Sequence, residues 1–107
     1  MIHKAQIELF LSELRKSIAA KRFVVIPRDK NNAFLARCGM MPAERERLVA
    51  GLTVRAYASG PEYDRDYPGE QDIWKFRMHY SGRDIYIKLK LVAKETGYYA
   101  KCLSFHD

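Results

Sequence analysis

Three stretches in the last third of the chain, Ile73 to Tyr80, Asp84 to Val92 and Tyr98 to Phe105, carry apolar residues at every second position. They are joined by the short turn sequences SGRD and AKETG. A period of two marks a strand with one buried face, and joins this short connect only antiparallel neighbours. The three stretches are therefore expected to form an antiparallel meander. A small sheet with one apolar face is not stable alone in water, so something must cover it.

The first half of the chain supplies the cover. From Lys4 to Ala20, Ile7, Phe10, Leu11, Leu14 and Ile18 recur at the spacing of one helix face. Phe23 to Ile26 is a β-branched run stopped by Pro27, which predicts a short edge strand. Asp29 suits an N-cap for a second helix over Asn31 to Cys38, closed by a left-handed Gly39. Pro42, Glu44 and Glu46 favour the start of a third helix whose apolar face is Leu48, Val49 and Leu52. Thr53 caps one further turn ending near Gly60. Ser59 to Asp72, crowded with Gly, Pro and Asp, reads as a loop of solvated carboxylates; a divalent-cation site is the less favoured alternative. The expectation is one α+β domain over residues 1–107, in the order α-β-α-α-β-β-β, with helices packed on one face of an antiparallel sheet.

Alternation divides the strands into two sets. Trp74, Phe76, Met78 and Tyr80, then Ile85, Ile87, Leu89 and Leu91, then Tyr99, Leu103 and Phe105 are assigned to the core. Lys75, Arg77 and His79, then Tyr86, Lys88 and Lys90, then Tyr98, Cys102, Ser104 and His106 fall on the other face. A Gly82-Arg83 turn would set Arg77 opposite Lys88 and His79 opposite Tyr86. A bulged three-residue loop at Gly97 would set Lys88 opposite Cys102, Tyr86 opposite Ser104 and His106 opposite Asp84.

Opposed like charges destabilise a sheet, so a face this cationic asks for an anionic partner or for lysines that splay into water. Net charge is +6, spread unevenly: residues 1–59 hold eleven bases against five acids, 60–72 one against five, and 73–107 seven against three. A basic body interrupted by one acidic loop favours nucleic acid as partner. No run approaches the roughly 20 apolar residues of a membrane span and no leader pattern is visible, so a cytoplasmic protein without a membrane partner is expected. Cys38 and Cys102 lie far apart without ligand spacing, which argues for reduced thiols and no metal.

Cations, imidazoles and a tyrosine on one surface suit RNA cleavage by transphosphorylation. A base takes the ribose 2'-OH proton, cations stabilise the phosphorane, and an acid protonates the departing 5'-oxygen. Histidine can act as either acid or base, and tyrosine can donate or stack on a base. A non-catalytic RNA- or DNA-binding module would use the same face. A third reading is an interaction domain whose edge strand accepts a partner.

Several motifs carry a family resemblance: LT, Y and SGP (Leu52, Thr53, Tyr57, Ser59 to Pro61), IW (Ile73, Trp74), GRDIYIKLKL (Gly82 to Leu91) and CLSFH (Cys102 to His106). The chain resembles the MqsR-type toxins of bacterial toxin-antitoxin modules, within the RelE-like group of small basic ribonucleases. The resemblance implies a RelE-like fold and an mRNA endonuclease that needs no metal or other cofactor. It also implies a cognate antitoxin as protein partner, with the ribosome as a further one. Tyr86 matches the family's strand tyrosine, Lys75 stands where the pattern has glutamine, and His106 takes a basic position held by lysine. Ala58 replaces the family lysine that follows the helix-end tyrosine, so cation support would come from Arg77 or Lys88. Tyr86, His106, Lys75 and Lys88 are the expected catalytic residues, with Arg77, His79, Lys90 and Tyr57 binding substrate.

Overall fold

The computed structural model describes residues 2–107. Helix α1 (Lys4–Ala19) leads to strand β1 (Phe23–Val25), then α2 (Asp29–Cys38), α3 (Pro42–Ala50), a 3-10 turn (Val54–Ala56) and β2 (Tyr57–Glu62). Strands β3 (Ile73–Tyr80), β4 (Arg83–Lys94) and β5 (Gly97–His106) complete the fold. The strands form one sheet in the order β1-β5-β4-β3-β2. The three helices cover one face of it, which makes the chain α+β as expected.

The core lies between those layers. Ile7, Phe10, Leu11 and Leu14 of α1, Phe34 and Leu35 of α2, and Val49 and Leu52 meet Phe76, Ile85, Ile87, Leu89, Leu91 and Phe105 from the sheet. Each fully buried side chain of this size contributes about 1.5–3 kcal/mol. Phe10 stacks on Trp74, with ring centroids 4.7 Å apart, and so ties α1 to β3. Gly39 adopts the expected left-handed cap at φ 66°, while Asp29 lies in the first turn of α2 and Arg28 occupies the cap position. Among the described residues no helix is long and apolar enough to cross a membrane.

The sheet departs from expectation in three ways. It is mixed, because β1 pairs parallel with β5, Phe23 opposite Ala100 and Val25 opposite Cys102. Parallel neighbours need a long crossover, and the chain between Val25 and Gly97 provides it. Tyr57–Glu62 is a strand rather than the end of a turn and the start of a loop, pairing irregularly with β3. Gly60 is required there: a Cβ would lie 2.7 Å from the Ile73 carbonyl oxygen.

The third departure is register. Ser81 and Gly82, at φ 53° and 76°, form the two-residue β3–β4 turn, so Tyr80 pairs with Arg83. Both central positions of such a turn are left-handed. Every side chain keeps its face but moves by one row, and Arg77 faces Tyr86 rather than Lys88. The β4–β5 hairpin closes at Lys94 and Gly97, and an irregularity at Leu103 places Leu89 opposite Cys102 but Lys88 opposite Ser104. One extra residue reverses the alternation. Cys102 therefore belongs to the helix-side core, with Tyr98 on its face, and Tyr99 and Leu103 do not join that core.

Candidate nucleic-acid interface

The face of the sheet away from the helices carries the candidate site in cross-strand rows. One row is Lys75, Lys88 and Ser104; the next is Arg77, Tyr86 and His106; a third pairs His79 with Asp84. The bulge at Leu103 sets this alignment, since without it His106 would not stand opposite Tyr86. The Tyr86 and His106 rings meet edge to face with centroids 6.0 Å apart, and the Arg77 guanidinium carbon lies 5.7 Å from the Tyr86 ring centroid. Tyr86 is thus flanked by an imidazole on one side and a cation on the other.

The His106 ring makes one contact with the backbone. Its Nδ1 lies 3.0 Å from the Asp107 carbonyl oxygen. That oxygen accepts, so Nδ1 carries a proton, and Nε2 offers a lone pair whenever the ring is neutral. His79 is used differently: its Nδ1 meets the Asp84 carboxylate at 2.9 Å, one row from Tyr86. It stands at the margin of the face, where it and Arg77 line a second open hollow with Tyr86, Asp84 and Asp107.

Arg28 and Lys30 join the site although no motif pointed to them. They line a hollow of about 330 Å³ together with Asp29, Tyr86, Lys88, Ser104 and His106, three cations against one carboxylate. Because β1 runs parallel to β5, residues following β1 emerge beside the C-terminal end of β5, where His106 sits. The parallel pairing was the missing signal. Asn31, fully buried in the first turns of α2, fastens this corner: its Nδ2 donates to the carbonyls of Ile26 and Leu103, and its Oδ1 accepts from the Phe105 N–H.

The expected cations divide into three groups. Lys88 makes no ion pair among the described residues and is half-buried beside Tyr86. Lys75 is paired with Glu62 at 2.9 Å; that hydrogen bond holds its ammonium above the ordinary lysine value, against an opposing effect of burial, and Tyr86 contributes in the same direction. Lys90 is withdrawn altogether.

The acidic stretch after β2 is a loop, as expected, with Asp66 and Asp72 exposed, but Asp64 and Glu70 are not solvated and make it a strap across the lower half of the face. Asp64 accepts from Lys90 at 2.6 Å, Glu70 pairs with both Lys90 and Lys101, and the Tyr67 ring centroid lies 4.7 Å from the Lys90 ammonium. Lys90 is 1% exposed and Asp64 5%. Burial alone would lower the Lys90 pKa, but its hydrogen bonds to the two carboxylates outweigh that and raise it; the same bonds lower Asp64 and Glu70. Lys90 consequently cannot contact substrate in this arrangement. Among the described residues no group of three His, Cys, Asp or Glu side chains is placed to hold a metal ion.

Tyr57 is also displaced from the expected site. It pairs with Phe76 on the helix side of the sheet, packs edge-on against Trp74 and Phe76, and donates its hydroxyl hydrogen to the Gly60 carbonyl. It buttresses β2 and does not reach the cationic face.

What remains is a surface with an imidazole, a phenol, and the cations Arg28, Lys30 and Lys88 around one concavity, with Arg77 lining the hollow on the other side of Tyr86. Such a set has the chemistry to bind a phosphodiester and to offer groups for proton transfer beside it. Compared with protein-family models, curated proteins and solved structures, the chain finds no match.

Proposed function

We propose that this chain is a metal-independent endoribonuclease, a toxin of the toxin-antitoxin kind with a RelE-like fold, that cleaves single-stranded mRNA on the open face of its sheet. The observation that carries the reading is the Arg77–Tyr86–His106 row, in which His106 Nδ1 meets an Asp107 backbone oxygen and Nε2 has no partner among the described residues. In this mechanism His106 Nε2 accepts the ribose 2'-OH proton and the 2'-oxygen attacks phosphorus. Lys88, Arg77 and Arg28 stabilise charge on the phosphorane. The phosphorus–5'-oxygen bond breaks as the Tyr86 hydroxyl protonates the leaving oxygen. The products are a 2',3'-cyclic phosphate and a free 5'-OH, so phosphorus, protons and charge balance without a cofactor.

The partners follow from the same reading: mRNA, free or on the ribosome, and a cognate antitoxin that silences the chain by covering the face. The test is to incubate purified protein with a single-stranded RNA in EDTA and analyse the ends. Fragments ending in 2',3'-cyclic phosphate, lost in the variant Tyr86→Phe with His106→Ala, support it. RNA that is bound but left intact overturns it in favour of a non-catalytic binding module on the same cations.

A further inference from the structure

On the other side of the sheet the helical layer leaves a gap. Helix α1 covers the sheet only in part, and beside it runs an open groove of about 500 Å³. Leu9 and Phe10 of α1 form one wall, and Trp74, Leu91 and Tyr98 form the floor from three adjacent strands. Leu9 is 64% exposed although it belongs to an apolar wall. The shape is that of a place in an α/β layer where one more helix would pack, with a helix already on one flank and a sheet beneath.

The rim determines what kind of helix fits. Its polar members are two glutamines and the carboxylates of Glu13 and Asp72, and no lysine or arginine lines it. This is unusual in a chain of net charge +6. Lys16 reaches Glu13 at 3.3 Å from outside the groove, which leaves Asp72 as the freer charge. The geometry points to an interaction surface for a positively charged amphipathic helix of a partner protein, its apolar face on Trp74 and Leu9 and its cations toward Asp72 and Glu13. The groove lies on the helix side and shares no lining residue with the cationic hollow, so this inference stands apart from the RNA reading.

The chain's single tryptophan forms the floor of the groove, so its emission reports occupancy. The probe is a tryptophan-free leucine–lysine helix as long as α1, 16 residues, compared with a leucine–glutamate helix of identical apolar pattern. A saturable shift of Trp74 emission with the basic peptide alone, weakened at least tenfold in Leu9→Arg and reversed in peptide preference by Glu13→Lys with Asp72→Lys, is the expected result. Circular dichroism establishes that each variant is folded. No shift, equal response to both peptides, or an unchanged response in Leu9→Arg overturns the proposal. So does a concentration-dependent shift without peptide, which would make a second copy the occupant.

Discussion

The Asn31 side-chain oxygen accepts the Phe105 backbone N–H at 2.9 Å, in the place where a neighbouring strand would otherwise pair. Strand β1 ends at Val25 and Pro27 follows, yet β5 continues to His106 with no strand on that side. Asn31 replaces the missing neighbour, also donating to the Leu103 carbonyl at 3.1 Å. One carboxamide thus satisfies the bulge and holds the strand segment that carries His106.

Replacing Asn31 by Leu should therefore harm the site more than its distance from Tyr86 suggests. The change leaves the Phe105 N–H and two carbonyls without partners in a buried place, a cost of about 3 kcal/mol. Urea unfolding should show that loss. RNA cleavage measured well below the unfolding midpoint should also fall, because β5 no longer holds His106 against Tyr86. A variant as stable as wild type would show that water or backbone takes over the role.

Single substitutions of the proton-transfer pair should separate the two roles. In the proposed mechanism His106→Ala removes the base and Tyr86→Phe the acid, and each should lower the cleavage rate by about 10²–10⁴-fold with the fold intact. Neither ring is buried in the helix-side core, so circular dichroism and urea midpoints should barely move. Binding to RNA in the absence of turnover should survive in both. Cleavage by His106→Ala at the wild-type rate would transfer the base role to another group.

The strap makes a pH prediction with a definite sign. Asp64 and Glu70 have folded pKa values below their ordinary 3.8 and 4.5, chiefly through hydrogen bonds from Lys90. Groups depressed on folding add stability above the unfolded value and lose it as pH falls through the folded one. Wild type should therefore hold its advantage over Asp64→Asn with Glu70→Gln near neutrality and lose it progressively as pH falls below the ordinary carboxylate values and through the lower folded ones. Lys90, raised on folding, adds stability that is lost only as pH rises above its ordinary 10.5. Lys90→Met alone strands two carboxylates and should cost about 3–5 kcal/mol, whereas Lys90→Met combined with both amides should recover most of it. A pH-independent difference would mean the strap's carboxylates are not engaged in solution.

The thiols offer a simpler check of the face assignment. Cys102 is fully buried and burial pushes its thiol up to about 12, although nearby Arg45 acts in the opposite direction. Cys38 is only partly buried. A thiol reagent should modify Cys38 alone in native protein and both after unfolding. Rapid native modification of Cys102 would return it to the open face.

That residue also shows what was legible in the sequence. Alternation located β3, β4 and β5 to within two residues at each end, because each has a buried face that only one parity satisfies. It misplaced Tyr98, Tyr99, Cys102 and Leu103, since a bulge at Leu103 reverses parity with no local mark. Tyr57–Glu62 escaped notice because Gly60 and Pro61 suppress any β pattern, and its pairing is irregular. The strap escaped because a carboxylate reads the same whether it meets water or Lys90. Of the site, Tyr86, His106, Arg77 and Lys88 follow from parity; Arg28, Lys30 and Asn31 depend on the parallel pairing of β1, which is a tertiary fact.

The pairing of Lys75 with Glu62 gives a final test, of which cations meet phosphate. Salt dependence counts them, each phosphate contact adding about 0.7–0.9 to the slope of log affinity against log salt. Lys88→Gln should lower the slope by about that amount, because Lys88 has no internal partner to leave. Lys75→Gln should lower it less, since its ammonium is already neutralised by Glu62 at 2.9 Å. Glu62→Gln should then raise the slope by releasing Lys75 to the RNA, and should have no effect once Lys75 is also removed. Equal slopes for Lys75→Gln and Lys88→Gln would mean that Glu62 yields its lysine whenever RNA arrives.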